Sequence, residues 1–166
     1  NLVNVRAAEL EGLTAVHGNI LTDDVLDSLP LSRIGRLLAL TSNSELNALA
    51  GLSFLDYLGR ENIFMLASAT DGLSDVKAQL LREHCLFDVD KGYDYLEQQF
   101  DNGAVVQVVP ISDGFSYPDF QAKYGESATP LFVTDEQELN VVLTRTAVNP
   151  KPGGHLISVL PGNGRG

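Results

Sequence analysis

The sequence predicts an α/β chain in which a parallel layer of strands alternating with helices is followed by a smaller α+β unit with antiparallel strands. Three observations carry this. Residues 37–41 (L-L-A-L-T) form an apolar run suited to a strand buried on both faces, and they lead straight into the cap-competent S-N-S-E at 42–45. Residues 63–67 (I-F-M-L-A) repeat the apolar run after a helical stretch, and strands alternating with helices imply parallel pairing. From Ala104 the pattern changes to extended runs separated by short polar turns, which implies antiparallel pairing.

In chain order, residues 3–11 read as a short helix that stops at Gly12, a residue that tolerates positive φ. Residues 14–17 alternate as a short strand ending at Gly18-Asn19. Thr22 is placed to cap a second helix, with Asp23 and Asp24 in its first turn and Pro30 closing it. After the strand at 37–41, Ser42 and Glu45 fit a capping box, and Leu46, Leu49, Ala50 and Leu52 recur at helical spacing in a helix running to about Gly59. Residues 69–74 are small and polar and read as a junction, and 75–84 have helical spacing. A short strand at 85–87 precedes a helix over 93–100 that ends at Asn102-Gly103. Residues 105–111 form a strong strand with Pro110 near its end, which suggests an edge or a terminus. A short helix over 117–124, strands at 130–134 and 139–144 in a hairpin, and a last strand at 155–160 complete the chain.

Composition bounds the function. The chain has 166 residues, 22 acidic against 11 basic, and a formal charge of −11, which repels nucleic acid and anionic lipid. No window approaches the apolar length of a membrane span, and the amphipathic first residues, with Arg6, Glu9 and Glu11, predict no signal peptide. Cys85 is the single cysteine and, among Leu81, Leu86 and Phe87, is expected to be a buried, inert thiol. The segment D-V-D-K-G-Y-D at 88–94 fails as a calcium loop: counted from Asp88, Tyr93 and Gln99 stand where Gly and Glu are required. It reads instead as a solvated turn before a helix. His17, His84 and His155 are scattered singly, and Gly162 to Gly164 lacks the following helix of a phosphate cradle. No residue is assigned a catalytic or metal-ligating role.

The segments A-A-E-L-E-G-L-T-A-V-H-G-N-I-L-T at 7–22 and L-L-A-L-T-S-N-S-E-L-N-A-L-A at 37–50 resemble the second half of an RCK (TrkA-N) domain, in the form found on the cytoplasmic tail of NhaP-type sodium/proton antiporters. More faintly, G-A-V-V-Q-V-V-P-I-S and K-P-G-G-H-L-I-S-V-L are similar to strands of the small β-rich unit that follows such domains, with Gly154 in place of an acid in its P-G-D-x-L-I ending. The resemblance implies the second half of a Rossmann-like domain over 1–68, a junction over 69–84 and a small α+β unit over 85–166. It implies a non-catalytic cytosolic regulatory or oligomerisation domain of a monovalent cation:proton antiporter, on the cytoplasmic face of the cell membrane. The implied partners are a second copy of the chain and the parent's transmembrane domain, with no nucleic acid and no direct membrane insertion.

In that family an acidic or Asn residue follows the third strand and Thr or Ser the fourth, positions held here by Asn19 and Thr41. Gly18, Asn19, Thr41, Ser42 and Asn43 are therefore expected to form a vestigial or incomplete nucleotide site. The first strand, G-x-G-x-x-G turn, helix and acid-ended second strand of a full domain do not precede Asn1, so the chain is expected to be truncated and to bind no cofactor by itself. The parent would then take NAD(H) or an adenine nucleotide. Strand edges left open by the missing half favour a homodimer. The alternatives are a fragment of a nucleotide-dependent oxidoreductase and a purely structural dimerisation tail.

Overall fold

A computed structural model describes residues 2–20, 22, 34–66, 84–88, 90–135, 138–144 and 146–162. By its contacts the chain divides at Gly35 into two units, Asn1–Gly35 and Arg36–Gly166. The expected junction over 69–84 lies outside the described residues except for His84, as does the helix expected from Asp23 to Pro30.

In the first unit, helix α1 (Leu2–Leu10) ends as its sequence requires. Gly12 adopts φ +78°, its N–H bonds to the Glu9 carbonyl at 3.0 Å, and the Leu13 N–H reaches the Ala8 carbonyl at 2.9 Å. This is a Schellman ending, which satisfies carbonyls that the helix cannot. The strand expected at 14–17 does not form: these residues carry no regular structure, and Leu13 and Val16 are exposed. An alternating pattern becomes a strand only where a neighbouring strand accepts its hydrogen bonds, and among the described residues none pairs with it.

The second unit holds two sheets. Strands β1 (Leu37–Ala39), β2 (Ile63–Leu66) and β3 (Cys85–Leu86) form a parallel sheet in that order. Between β1 and β2 run helix α2 (Ser44–Ser53) and a further turn of helix, α3 (Leu55–Leu58), where one continuous helix was expected; Phe54, 2% exposed, marks the break. The run expected to be buried on both faces belongs to β2, not β1. All four β2 residues are buried, whereas β1 stops at Ala39 and leaves Leu40 exposed. The reason is position, since β2 has a strand on each side and β1 has one on one side only among the described residues.

Helix α2 lies so close to β2 that a Cβ on Gly51 would stand 3.0 Å from Met65 Cε and 3.2 Å from Ile63 Cγ2. Cys85 is half-buried rather than buried, and Leu86 beside it is fully enclosed. On β3 successive side chains alternate between faces, so only one of the two reaches the core.

Helix α4 (Tyr93–Asp101) then leads to the antiparallel sheet, made of β4 (Val105–Pro110), β5 (Thr129–Thr134), β6 (Leu139–Val141) and β7 (His155–Leu160) in the order β4-β7-β5-β6. Helix α5 (Tyr117–Tyr124) covers one face, where Phe120 packs with Ile111, Ala128, Leu156 and Leu160. The other face packs on the parallel sheet: Leu131 and Val159 join Phe64, Leu66, Leu86 and Phe87 in one cluster. Burying side chains of this size contributes about 1.5–3 kcal/mol each. The fold is therefore mixed α/β, a parallel three-stranded sheet and an antiparallel four-stranded sheet with helices.

Gly154 has a steric reason to depart from the acid of the resembled ending. A Cβ there would meet the Thr134 carbonyl oxygen at 2.5 Å, a backbone atom held in β5. Gly154→Asp is expected to lower unfolding free energy by about 1–3 kcal/mol through overpacking, read as a lower denaturation midpoint at unchanged slope.

Helix α5 starts with a capping box in which the Ser116 hydroxyl and N–H donate to Asp119 Oδ2 at 2.6 and 2.8 Å. These bonds, the side-chain one foremost, hold the Asp119 carboxyl below its ordinary range. A lowered folded-state pKa stabilises above the unfolded value and is lost as pH falls through the folded one. Ser116→Ala is expected to move the Asp119 titration, followed by NMR, upward and to weaken the protein at neutral pH, with the difference from wild type disappearing as pH falls and Asp119 is protonated in both.

Candidate functional site

The turn after β1 is a closed polar network. Asn47, 2% exposed on the first full turn of α2, accepts the Thr41 N–H at 3.1 Å and the Thr41 hydroxyl at 2.6 Å on Oδ1, and its Nδ2 donates to the Thr41 carbonyl at 2.9 Å. This clamp turns Thr41 out of the strand, which shortens β1. The helix cap is Asn43, not the expected Ser42: its Oδ1 accepts the Leu46 N–H at 2.9 Å, and its carbonyl accepts the Asn47 N–H at 3.0 Å. Three cap-competent residues stand in a row at 42–44, and the clamp selects the one whose side chain faces the helix.

Of the expected nucleotide-site residues, the structure brings Thr41, Ser42 and Asn43 together at this turn. Gly18 and Asn19 belong to the other unit, where the Asn19 carbonyl accepts the N–H and hydroxyl of Thr22. Asn47, which was expected only as part of a helix, is the residue that organises the turn. Its signal was a polar side chain on the buried stripe of an amphipathic helix.

A second feature has no local motif in the sequence. A cavity of about 730 Å³ opens beside β5, lined by segments 87–95, 117–130 and 142–148, with Phe87, Tyr95, Tyr117 and Phe120 supplying aromatic walls. Its size falls within the range of small-molecule sites. Asp88, Asp90 and Lys91, expected to be a solvated turn, stand at its margin, and Glu126 lies opposite.

Lys91 Nζ donates to the Ala128 carbonyl at 2.9 Å and the Glu126 carbonyl at 3.3 Å, and lies 6.0 Å from the centre of the Tyr95 ring. Burial pushes the Lys91 pKa down, while Asp88 and Glu126 oppose that shift. Thr129 lines the same cavity, is 1% exposed, and its hydroxyl has no hydrogen-bond partner among the described residues. A buried hydroxyl left so costs about 1–3 kcal/mol and is suited to a polar group brought by a ligand.

Phe87 divides this cavity from an apolar groove lined by Leu38, Leu96, Phe100 and Phe132. It is also the one described non-glycine residue with positive φ, at +62°. That backbone costs a bulky side chain about 1–2 kcal/mol, and the surroundings hold it: its N–H donates to the Val142 carbonyl at 3.0 Å and its ring is buried. Among the described residues no group of three His, Cys, Asp or Glu side chains is placed to hold a metal ion, and no helix is long and apolar enough to cross a membrane.

No protein-family model matches the chain, and no curated protein matches it. Among solved structures, a crystal structure of the GsuK RCK domain is similar at a TM-score of 0.30 and 11% identity. The match covers 89% of this chain and 35% of that one, so this chain spans about a third of its length. At that distance the likeness bears on neither ligand nor partner.

The geometry at α2 gives a nucleotide little to bind. The Leu46 N–H, one of the first-turn donors that would face a phosphate, is already taken by Asn43 Oδ1, and the Asn47 N–H makes the ordinary helix bond to the Asn43 carbonyl. Calorimetry with NAD(H), ATP and ADP is expected to show no binding tighter than the high micromolar range; a low micromolar dissociation constant would contradict this.

Proposed function

We propose that the chain is a non-catalytic regulatory and oligomerisation domain of a monovalent cation:proton antiporter, on the cytoplasmic face of the membrane that the parent's transmembrane domain occupies. The resemblance at 7–22 and 37–50 suggests the transporter context. The observation that carries the regulatory part is the cavity beside β5, lined by four aromatic side chains, by Lys91 and by Thr129, whose buried hydroxyl has no hydrogen-bond partner among the described residues. Its walls come from the turn that follows β3 on one side and from α5 and the start of β5 on the other, so a bound effector would bear on how those elements pack. An effector acts only through different affinities for two states, and a cavity built between separate elements can supply that difference.

The reading is tested in the full-length parent reconstituted in vesicles, by following cation-driven proton flux as a function of pH. Thr129→Val and Lys91→Met are expected to shift the activation curve while leaving the maximal flux in place. Curves identical to wild type for both variants would favour the purely structural tail, for which the exposed valines of β4 speak. Oxidation of NADH by the purified chain would instead establish the oxidoreductase reading.

A further inference from the structure

We propose that β4 pairs with the β4 of a second copy of this chain, antiparallel and about a two-fold axis through Gln107, to make one continuous eight-stranded sheet. The inference gives the oligomerisation part of the proposed function its surface, and rests on that reading only for its biological purpose.

Among the described residues three strands stand at open sheet edges. The outer edge of β1 and that of β6 are three residues long, and the Leu139 carbonyl of β6 already accepts a hydrogen bond from Arg36 Nη1. β4 is six residues long and stands at the end of its sheet, paired with β7 on one side and with no described strand on the other. Five of its six residues are exposed, with Val105, Val106 and Val108 at 45, 52 and 61%.

Proteins protect such edges with lysines, inward charges or bulges. The sequence V-V-Q-V-V-P has no charge in a chain of net charge −11, and its register with β7 is unbroken. A strand free of charge is the part of an acidic surface that a second copy can approach without facing a like charge.

The hydrogen-bond parity fixes the register. Ile111 donates to the Gly154 carbonyl and accepts from the Gly153 N–H, so it points toward the β7 side. Backbone groups alternate along an antiparallel strand, so Val105, Gln107 and Val109 also turn to β7, and Val106 and Val108 turn their N–H and C=O outward. A two-fold through Gln107 sets Val106 opposite the partner's Val108 and Val108 opposite the partner's Val106. That satisfies all four outward groups of those residues in each copy, with four hydrogen bonds.

The register also ends itself. The next pair would be Pro110 opposite the partner's Ala104, where proline has no N–H to give and the Ala104 N–H already donates to the Gln99 carbonyl at 2.9 Å. Pro110 therefore sits where its missing donor faces outward and costs the β4–β7 pairing nothing.

Sedimentation equilibrium of the chain at two salt concentrations tests the assembly. The expected result is a dimer that tightens as salt screens the net charge. Val108→Lys, at an exposed position that should not disturb folding, is expected to weaken it by roughly tenfold or more. The register is tested by Gln107→Cys in a Cys85→Ser background: the two Cα atoms would be about 4.5 Å apart, within disulfide reach. Oxidation should cross-link these dimers, and should not cross-link Val105→Cys in the same background.

A monomer under every condition, or a dimer unaffected by Val108→Lys and not cross-linked through position 107, would overturn the proposal. A monomeric chain whose parent still responds to Thr129→Val would remove the dimer and leave regulation standing. A β4 dimer whose parent ignores Thr129→Val and Lys91→Met would do the reverse.

Discussion

The backbone of Val142 joins the two halves of the larger unit. Its N–H donates to the Leu131 carbonyl in β5 and its carbonyl accepts from Phe87 just beyond β3, each at 3.0 Å. Around it, Leu86 forms an antiparallel bridge with Leu143, and the Thr144 N–H donates to the Cys85 carbonyl at 3.0 Å. Strand β3 is two residues long and would otherwise end the parallel sheet with an open edge. The segment 142–144 closes it, and in doing so brings the apolar faces of both sheets into one cluster. The stitch also curtails β6, which ends at Val141 where a strand through Thr144 was expected: beyond that point the chain serves β3.

The cavity is a consequence of the same stitch. Residues 142–148 must leave the hairpin to reach β3, and the space they leave is bounded by α5 on one side and by the Asp88 to Lys91 turn on the other. Lys91 spans part of that space and ties the turn to the carbonyls that precede β5. Phe87 is forced to left-handed φ because its N–H must meet Val142 while its ring fills the gap between the cavity and the apolar groove. Strain at one residue is thus the cost of closing two elements of opposite direction on each other.

What the sequence made legible was local. The stops that depend on one or two residues formed as expected: Gly12 after α1, Asn102-Gly103 after α4 and the polar turn between β5 and β6, and the short helix expected over 117–124 is α5. What it obscured depended on position in the whole. An apolar run does not say whether its strand is central or at an edge, so the doubly buried strand was assigned to 37–41 when it is β2. The alternation at 14–17 had no neighbour to pair with among the described residues. The candidate cavity is assembled from three segments that are far apart in the chain, and its most telling atom, the Thr129 hydroxyl, sits in an ordinary S-A-T-P stretch. The edge strand was the exception, since Pro110 announced it.

The close approach of α2 to β2 has a chemical consequence. Met65 is the only methionine in the chain, and its methyl group is the atom that a side chain at position 51 would strike. Oxidation to the sulfoxide adds a polar oxygen to a thioether packed between the central strand and α2. In the folded chain Met65 is 4% exposed and shielded from oxidants. In an unfolded chain it is not, and a chain oxidised there can no longer seat α2 on the central strand. Oxidative damage would therefore be recorded selectively by molecules that have unfolded, and would keep them so until the sulfoxide is reduced.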